Sequence, residues 1–322
     1  MLTYLLFALG FVALVKGADM LVDGASAIAK RLNISEMIIG LTIVSFGTSL
    51  PELLVNITAS FKGNPEIAIG NIFGSNIANI LLILGISAMI RPLPITKNIY
   101  FSEIPFSLVA TLLVGFLANA SLFSEFRSLT LSRLDGGILL VFFSLFMGYI
   151  YVVHRSNVAA GIEDETASSP GMSMQKSLIF IAVGLLGLYF GGEWVVNGAV
   201  KIAGEAGLSQ TFIGLTVIAV GTSLPELVTS AVAAKKGNTD IAVGNVVGSN
   251  IFNLLWILGV SALIRPLPFD VASNTDVMMI IFSSALLLFA VAVGKGARIV
   301  RWEGALFILV YIAYIIYLLG RG

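Results

Sequence analysis

The sequence predicts an all-α, polytopic membrane protein in which ten transmembrane helices form two inverted five-helix repeats. Of its 322 residues, 57% are hydrophobic and 11% are charged, and the mean hydropathy is +1.00. A soluble domain carries about 25% charged residues, so this chain could not solvate a globular surface. Its apolar runs exceed the roughly 18 residues that cross a bilayer. A sequence duplication, described below, predicts the inverted arrangement.

The chain divides into ten candidate spans and one polar linker. The spans of the first half are 2–22, 35–60, 66–90, 103–119 and 134–153, and those of the second are 174–196, 209–234, 240–264, 274–294 and 302–319. The start, MLTYLLF, has neither a basic region nor a cleavage site, which favours a first membrane helix over a signal peptide. We therefore predict a first repeat (1–153), a linker (154–173) and a second repeat (174–322).

Residues 17–94 align without a gap to residues 191–268, at a constant offset of 174. GTSLPEL occurs at 47–53 and again at 221–227, and RPLP closes both copies at 91–94 and 265–268. Five predicted spans separate equivalent points, and an odd number of crossings inverts the second copy. Inverted repeats are typical of secondary transporters, whose sites lie near the membrane midplane where the repeats meet.

The positive charges predict the orientation. With the N-terminus outside, the cytoplasmic loops would hold eleven lysines and arginines and the outer loops six. We therefore expect a multi-pass protein of the cell (inner) membrane, with both termini extracytoplasmic and the linker inside.

Composition also excludes several kinds of chemistry. There are no cysteines, and the single histidine, His154, lies in the predicted linker, so disulfides, thiolate metal sites and histidine catalysis are not expected. A net charge of zero implies no nucleic acid partner. We expect neither an enzyme nor a resident cofactor.

Two glutamates lie deep in predicted spans. Glu52 is about 17 residues into the second span, and Glu226 holds the same place in the seventh. A carboxylate at that depth costs at least about 2.5–3.5 kcal/mol, which a bound cation would offset. Protonation or pairing with lysine is the alternative, but no lysine or arginine lies at comparable depth in the second, third, seventh or eighth span.

Oxygen donors surround each glutamate. Ser45, Thr48, Ser49 and Glu52 share one helix face, and Ala219, Thr222, Ser223 and Glu226 repeat the pattern. Because a proline lacks an N–H, Pro51 and Pro225 should kink their helices and free the carbonyls of Gly47 and Gly221. Such freed backbone is tolerated at membrane depth only where it is buried or lines a cavity.

The third and eighth spans add polar stripes that should face these glutamates. The stripes are Asn71, Ser75 and Asn79, and Asn245, Ser249 and Asn253. For Asn71 and Asn245, cation binding and plain helix packing remain equally open. Asn76 and Asn250 rotate off the stripes and are interpreted as supporting or packing groups. Asp19 and Glu193, also equivalent across the repeat, are expected to be solvated at the interface or locally paired.

All these donors are hard oxygens, which suit calcium, sodium and magnesium rather than zinc or copper. Magnesium keeps its waters and requires strict octahedral geometry, so two opposed kinks with many donors favour the larger, flexible calcium shell.

GTSLPE followed by GNxxGSN, present in both halves, resembles the alpha-repeats of the sodium/calcium exchanger branch of the calcium/cation antiporter superfamily. The resemblance implies exchange of three sodium ions for one calcium through one central cluster. It also implies the ligands Ser45, Thr48, Ser49, Glu52, Ser75, Asn79, Ala219, Thr222, Ser223, Glu226, Ser249 and Asn253, with Ser45 and Ala219 acting through their carbonyls. Some family members have aspartate where this chain has Asn253, and the long calcium-sensing loop of animal relatives is missing.

Three other functions are alternatives to sodium/calcium exchange. The first is proton/calcium antiport, whose branch typically carries GNxxE at the glutamate, where this chain has GTSLPE. The second is a cation channel, although an inverted duplication within one chain favours alternating access. The third is an intramembrane enzyme, which would need a nucleophile–base pair or a catalytic metal. The expected partners are calcium, sodium and the lipid bilayer, and one chain suffices to form the site.

Overall fold

The computed structural model describes residues 2–120, 129–159, 172–206, 219–294 and 296–321. Helices dominate both halves. The first half contains α1 (Leu2–Leu32), α2 (Glu36–Thr48), α3 (Leu50–Lys62), α4 (Glu66–Ile90), α5 (Ile99–Ala118) and α6 (Arg133–Ala159). The second contains α7 (Met174–Glu205), α8 (Ala219–Thr222), α9 (Leu224–Lys236), α10 (Thr239–Ile264), α11 (Asn274–Val293) and α12 (Arg301–Arg321).

The described helices confirm a polytopic all-α membrane protein. Eight of them are long and apolar enough to cross a membrane, and α2 with α3 forms a ninth span that bends by 45°. By sequence equivalence α8 with α9 is the tenth. The predicted seventh span began at 209, and residues 209–218 lie outside the described part of the chain.

Several helix ends differ from the predicted bounds. Helices α1 and α7 continue to Leu32 and Glu205, because their polar last turns are still good helix formers. Helix α6 runs to Ala159, six residues into the predicted linker, since residues 154–159 contain no glycine or proline. Residues 160–171 of the predicted linker lie outside the described residues.

Two short antiparallel strand pairs join the halves. Strand β1 (Leu93–Pro94) pairs with β4 (Arg298–Ile299), and β2 (Thr130–Leu131) pairs with β3 (Leu267–Pro268). The loops that carry β1 and β4 must therefore lie on the same membrane face, with an even number of crossings between them. Helices α5 to α11 meet this condition only if α8 and α9 together make one crossing.

Helices α1 and α7 pack antiparallel through glycines. A Cβ at Gly17 would lie 2.8 Å from the carbonyl oxygen of Gly184, and one at Gly184 would lie 2.7 Å from the backbone nitrogen of Leu21. Gly10 and Gly24 make similar backbone contacts one heptad away on either side. The two backbones therefore touch along most of their length, as small residues permit in membrane helices.

Helices α4 and α10 form the centre of the molecule. Their most apolar windows are 78% buried, against 28% for α6 and α12, which face outward. The broken pairs α2/α3 and α8/α9 pack against this central pair, helix α2 on α10 and α8 on α4. The fold thus places both predicted glutamates and both predicted polar stripes in its interior.

Candidate cation-binding site

The site is built where two helices stop and restart. The backbone leaves helical geometry at Ser49 (φ −83°, ψ 7°) and at Ser223 (φ −88°, ψ 8°), and new helices begin at Leu50 and Leu224. The helices thus bend near Pro51 and Pro225, as predicted, but the helix is interrupted two residues earlier, at Ser49 and Ser223. Each proline is the second residue of its new helix, where its missing N–H costs no hydrogen bond.

The break between α2 and α3 brings backbone carbonyl oxygens and a glutamate to the same region. Helix α2 ends at Thr48, and the last carbonyls of a helix lack intrahelical partners. The carbonyl of Gly47 would have bonded to the N–H of residue 51, which a proline lacks. These carbonyl oxygens provide partial negative charge, and Glu52, in the first turn of α3, places a full one beside them.

Each glutamate is bonded by a serine of the opposite half. The hydroxyl of Ser49 donates to Oε1 of Glu226 at 2.9 Å, and that of Ser223 donates to Oε1 of Glu52 at 3.2 Å. The Ser75 hydroxyl lies 3.4 Å from the same oxygen of Glu52. Both glutamates are 1% exposed. The predicted residues of the two repeats therefore meet in one buried cluster across the pseudo-two-fold axis.

Five buried oxygens in this cluster have no hydrogen-bond partner within the described part of the chain. They are Oε2 of Glu52, Oε2 of Glu226, Oδ1 of Asn79, Oδ1 of Asn253 and Oγ of Ser249. Leaving a buried acceptor unpaired costs about 1–3 kcal/mol, and more for a charged group. A cation bound among these oxygens would recover that free energy.

The remaining predicted ligands lie around the same cluster. Thr48 donates its hydroxyl to Oδ1 of Asn245 at 2.9 Å, and Thr222 donates to Oδ1 of Asn71 at 3.2 Å. The Ser45 hydroxyl donates back into α2, to the carbonyl of Leu41 at 2.8 Å. The Ser45 side chain is thus committed to its own helix. Ala219 begins α8, and its side chain lies outside the described part of the structure.

The contacts of Asn71 and Asn245 favour the packing alternative. The Asn71 side-chain nitrogen donates to Oδ1 of Asn56 at 2.7 Å, while its oxygen accepts from Thr222. The Asn245 nitrogen donates to Oγ of Ser230 at 2.9 Å, and its oxygen accepts from Thr48. Both amides therefore have a protein partner on each side, which suits residues that hold neighbouring helices together.

One backbone feature of the site was not predicted from the sequence. Turns of π-helix run from Asn79 to Ile83 in α4 and from Phe252 to Ile257 in α10. Isolated π turns in α-helices occur frequently at functional sites. They lie at the two asparagines whose Oδ1 atoms are unpaired, so the distortion occurs where the stripes end.

Asp19 lies away from this cluster. It pairs with Lys236 at 3.0 Å, and Asp23 pairs with the same lysine at 2.7 Å. Asp19 is thus part of an ion pair between α1 and α9 at the edge of the molecule, outside the candidate site. The equivalent residue of the second half, Glu193, is exposed.

The cluster has the chemistry of a moderate-affinity site for a hard cation. Two carboxylates supply its formal charge, and the described residues hold no group of three or more histidines, cysteines or acids that could bind a metal. No lysine or arginine contacts either glutamate among the described ion pairs. Because affinity for calcium rises with ligand charge, two carboxylates with neutral oxygens allow both binding and release.

The chain matches the family model described as "Sodium/calcium exchanger protein" over residues 2–152 and 176–320. It is 40% identical over 322 residues to the putative antiporter CaxA of Alkalimonas amylolytica, covering 98% of both chains. It is 34% identical over 350 residues to the sodium/calcium exchanger MaX1 of Methanosarcina acetivorans, again covering 98% of both.

A solved structure has the same fold. The sodium-calcium exchanger NCX_Mj, soaked with 10 mM Na⁺ and 10 mM Sr²⁺, superimposes with a TM-score of 0.81 at 36% sequence identity. The match covers 98% of each chain.

Proposed function

The chain belongs to the sodium/calcium exchanger family, and from this membership we propose that it exchanges sodium ions for calcium by alternating access. The family is one of membrane cation/calcium antiporters, and the coarse function follows from it. The proposal adds the driving ion and the binding residues. Proton/calcium exchange is the second candidate.

The observation that carries the proposal is the buried cluster of unpaired oxygens. Within the described residues, Glu52 and Glu226 each keep one carboxylate oxygen without a hydrogen bond, and Asn79 and Asn253 each keep an unbonded amide oxygen. Hard oxygens of this kind suit calcium and sodium. Because both glutamates are 1% exposed, this conformation closes the cluster to water, as alternating access requires and an open channel does not.

We propose that the transported ions bind to oxygens from both halves. The side-chain ligands are Thr48, Ser49, Glu52, Ser75, Asn79, Thr222, Ser223, Glu226, Ser249 and Asn253, and Ser45 and Ala219 contribute carbonyls. For Ser45 the carbonyl is the proposed ligand, because the hydroxyl is bonded to Leu41. That carbonyl also accepts hydrogen bonds from the Ser49 N–H at 3.0 Å and the Thr48 hydroxyl at 3.3 Å. All ligands come from one chain, so a monomer suffices.

Sodium is favoured over protons as the driving ion for two reasons. Both copies carry GTSLPE at the glutamate rather than the GNxxE typical of the proton-coupled branch. The relative from Methanosarcina acetivorans is named as a sodium/calcium exchanger and aligns over nearly the whole chain.

We place the protein in the cell membrane with both termini outside. The excess of positive charge on one set of loops supports this orientation. The chain has no cysteine, so single cysteines can report the side. Thr96→Cys, in an exposed loop on the proposed inner side, should resist an impermeant thiol reagent added to intact cells, whereas Asn64→Cys should react. The reverse pattern would invert the orientation.

The test of function is calcium uptake into proteoliposomes that contain the purified protein. An imposed sodium gradient should drive uptake, and reversing that gradient should reverse the flux. A proton gradient without sodium should drive none. Uptake driven by the proton gradient alone would establish the second candidate. Flux that neither saturates with calcium nor depends on any gradient would indicate a channel.

A further inference from the structure

Two asparagines next to the cluster control which way its amide ligands point. The side-chain nitrogen of Asn79 donates to Oδ1 of Asn250 at 2.9 Å, and that of Asn253 donates to Oδ1 of Asn76 at 3.3 Å. Each contact joins α4 to α10, so each half of the chain accepts a hydrogen bond from an asparagine amide of the other half. Asn76 and Asn250 are 0% and 2% exposed.

The direction of these bonds determines what the cluster presents. An asparagine amide has an oxygen acceptor on one side and an NH₂ donor on the other. The nitrogens of Asn79 and Asn253 are bonded to Asn250 and Asn76, and their oxygens have no partner in the part of the chain that the structure describes. If either amide rotated by half a turn, its NH₂ group would replace an oxygen beside the cation and repel it.

The orientation of Asn250 has its own support. Its nitrogen lies 3.5 Å from the backbone carbonyl of Asn76, which can only accept a hydrogen bond. That contact turns the Asn250 oxygen toward Asn79, and the short 2.9 Å bond then fixes Asn79. For Asn250 and Asn79 this favours a single arrangement, because one reversed member leaves two donors or two acceptors facing each other. Asn76 holds Asn253 through its Oδ1 alone, since the Asn76 nitrogen has no partner within the described residues.

We propose that Asn76 and Asn250 are positioning residues that keep the amide oxygens of Asn253 and Asn79 directed at the transported cation. They do not touch the ion. The proposal rests on the proposed function, since it assigns Asn79 and Asn253 as ligands. It explains why the GSN motif ends in asparagine in both copies, at Asn76 and Asn250, although these side chains do not lie on the helix face that carries the proposed ligands.

The experiment compares Asn250→Ala in two backgrounds. In the otherwise unaltered chain, the loss of Asn250 frees the Asn79 amide to rotate. We expect the calcium concentration for half-maximal uptake to rise about tenfold, with the maximal rate less affected. In an Asn79→Asp background, the carboxylate at position 79 presents an oxygen to the cation in either orientation. There Asn250→Ala should change the half-maximal concentration by less than about twofold.

If Asn250 has a purely structural role, Asn250→Ala should raise the half-maximal calcium concentration by the same factor in both backgrounds, and that result would overturn the proposal. The absence of any effect in the otherwise unaltered chain would also overturn it. If Asn79→Asp does not transport, calcium binding to the purified protein by titration calorimetry makes the same comparison. The matched control is Asn119→Ala, which removes another amide contact between the halves, 2.7 Å to Asn274, outside the cluster. It should leave the half-maximal concentration unchanged.

These outcomes separate the positioning role from the proposed function. If the unaltered chain neither transports nor binds calcium, the proposed function fails. If it transports calcium and the effects of Asn79→Asp and Asn250→Ala simply multiply, only the positioning role fails.

Discussion

At the scale of single residues, the centre of this protein contains two carboxylates that are bonded across the repeat. Ser49 bonds Glu226 and Ser223 bonds Glu52, so each half contributes to the other's glutamate. Within the described residues, one oxygen of each carboxylate has no hydrogen-bond partner. The formal charge of the cluster is therefore that of the two glutamates, since Asn79 and Asn253 are neutral.

Glu52→Gln and Glu226→Gln should each abolish calcium exchange. The change keeps the side-chain shape but leaves calcium one negative charge where it needs two. Loss of one partner from a buried charged contact costs about 3–5 kcal/mol, so uptake should fall by about a hundredfold or more. Proteoliposome flux measures this at matched protein content. Glu66→Gln, an exposed glutamate in the first turn of α4, is the control and should transport normally. Normal flux in both site variants would remove these glutamates from the site.

At the scale of helices, the helix breaks contribute to the ion site, whereas close packing joins the two halves. The breaks at Ser49 and Ser223 bring backbone carbonyls to the ion site. The glycine contact between α1 and α7 joins the first helices of the two halves into one pair. This pair packs against the broken helices, α1 on α2 and α9, and α7 on α2, α8 and α9.

Gly17→Ala should destabilise the protein by about 1–3 kcal/mol, the usual cost of overpacking. Its new methyl group would lie 2.8 Å from one backbone atom and 2.9 Å from another, neither of which can rotate away. The midpoint of thermal unfolding in detergent should fall. Gly148→Ala, in α6, is the matched control, because a Cβ there meets nothing within 4 Å. It should leave the midpoint unchanged or raise it, since alanine favours helix. Equal midpoints for the two variants would contradict close packing of α1 on α7.

At the scale of the whole molecule, the two ends of the inverted repeat are not in the same state. Lys236 binds Asp19 and Asp23, joining α9 to α1. The repeat equivalents of Lys236 and Asp19 are Lys62 and Glu193, and these two make no ion pair within the described residues. The ends also differ inside, because Asn245 is fully buried whereas its equivalent, Asn71, is half-buried.

Alternating access predicts that these ion pairs exchange. When the molecule opens at the other end, the Lys236 contact should break and Lys62 should approach Glu193, because inverted repeats swap conformations. Two double variants test this: Lys62→Cys with Glu193→Cys, and Asp19→Cys with Lys236→Cys. A short thiol cross-linker should capture both pairs in transporting protein, and either cross-link should stop transport. If the first pair never reacts while transport runs at full rate, the exchange of ion pairs is wrong. The four single-cysteine chains are the controls.

The charge count predicts a voltage effect. One calcium balances the two glutamates, whereas three sodium ions, the number that the family resemblance implies, exceed them by one charge. Each cycle should then move one net charge, worth about 2.3 kcal/mol per 100 mV. Calcium flux in proteoliposomes clamped at different potentials should therefore change with voltage. Flux independent of voltage would rule out the three-for-one count.

The same count bears on potassium. Because Asn253 is neutral, it adds no charge for a further cation, and exchange should proceed without potassium at fixed sodium. The potential should be set with an ionophore for another ion, so that potassium is varied independently. Exchange that requires potassium would refute this interpretation of Asn253.

The sequence by itself determined the features that repeat along the chain. Hydropathy gave the helices, the offset of 174 residues gave the inversion, and the depth of Glu52 and Glu226 identified the two acids. These features can be predicted from the sequence, because they depend only on residues within one segment. This holds for the free-energy cost of a carboxylate in the lipid bilayer and for helical periodicity. A duplication also shows directly which positions are equivalent.

The tertiary structure alone decided how the two copies meet. Contacts between residues far apart in the chain join Ser49 to Glu226, Lys236 to Asp19, and Asn79 to Asn250. The exact helix breaks and the π turns at the asparagines depend on packing between helices. The local sequence is similar in the two halves, but their contacts in the folded molecule are not the same. Only the structure therefore shows that the two ends differ in ion pairing and burial.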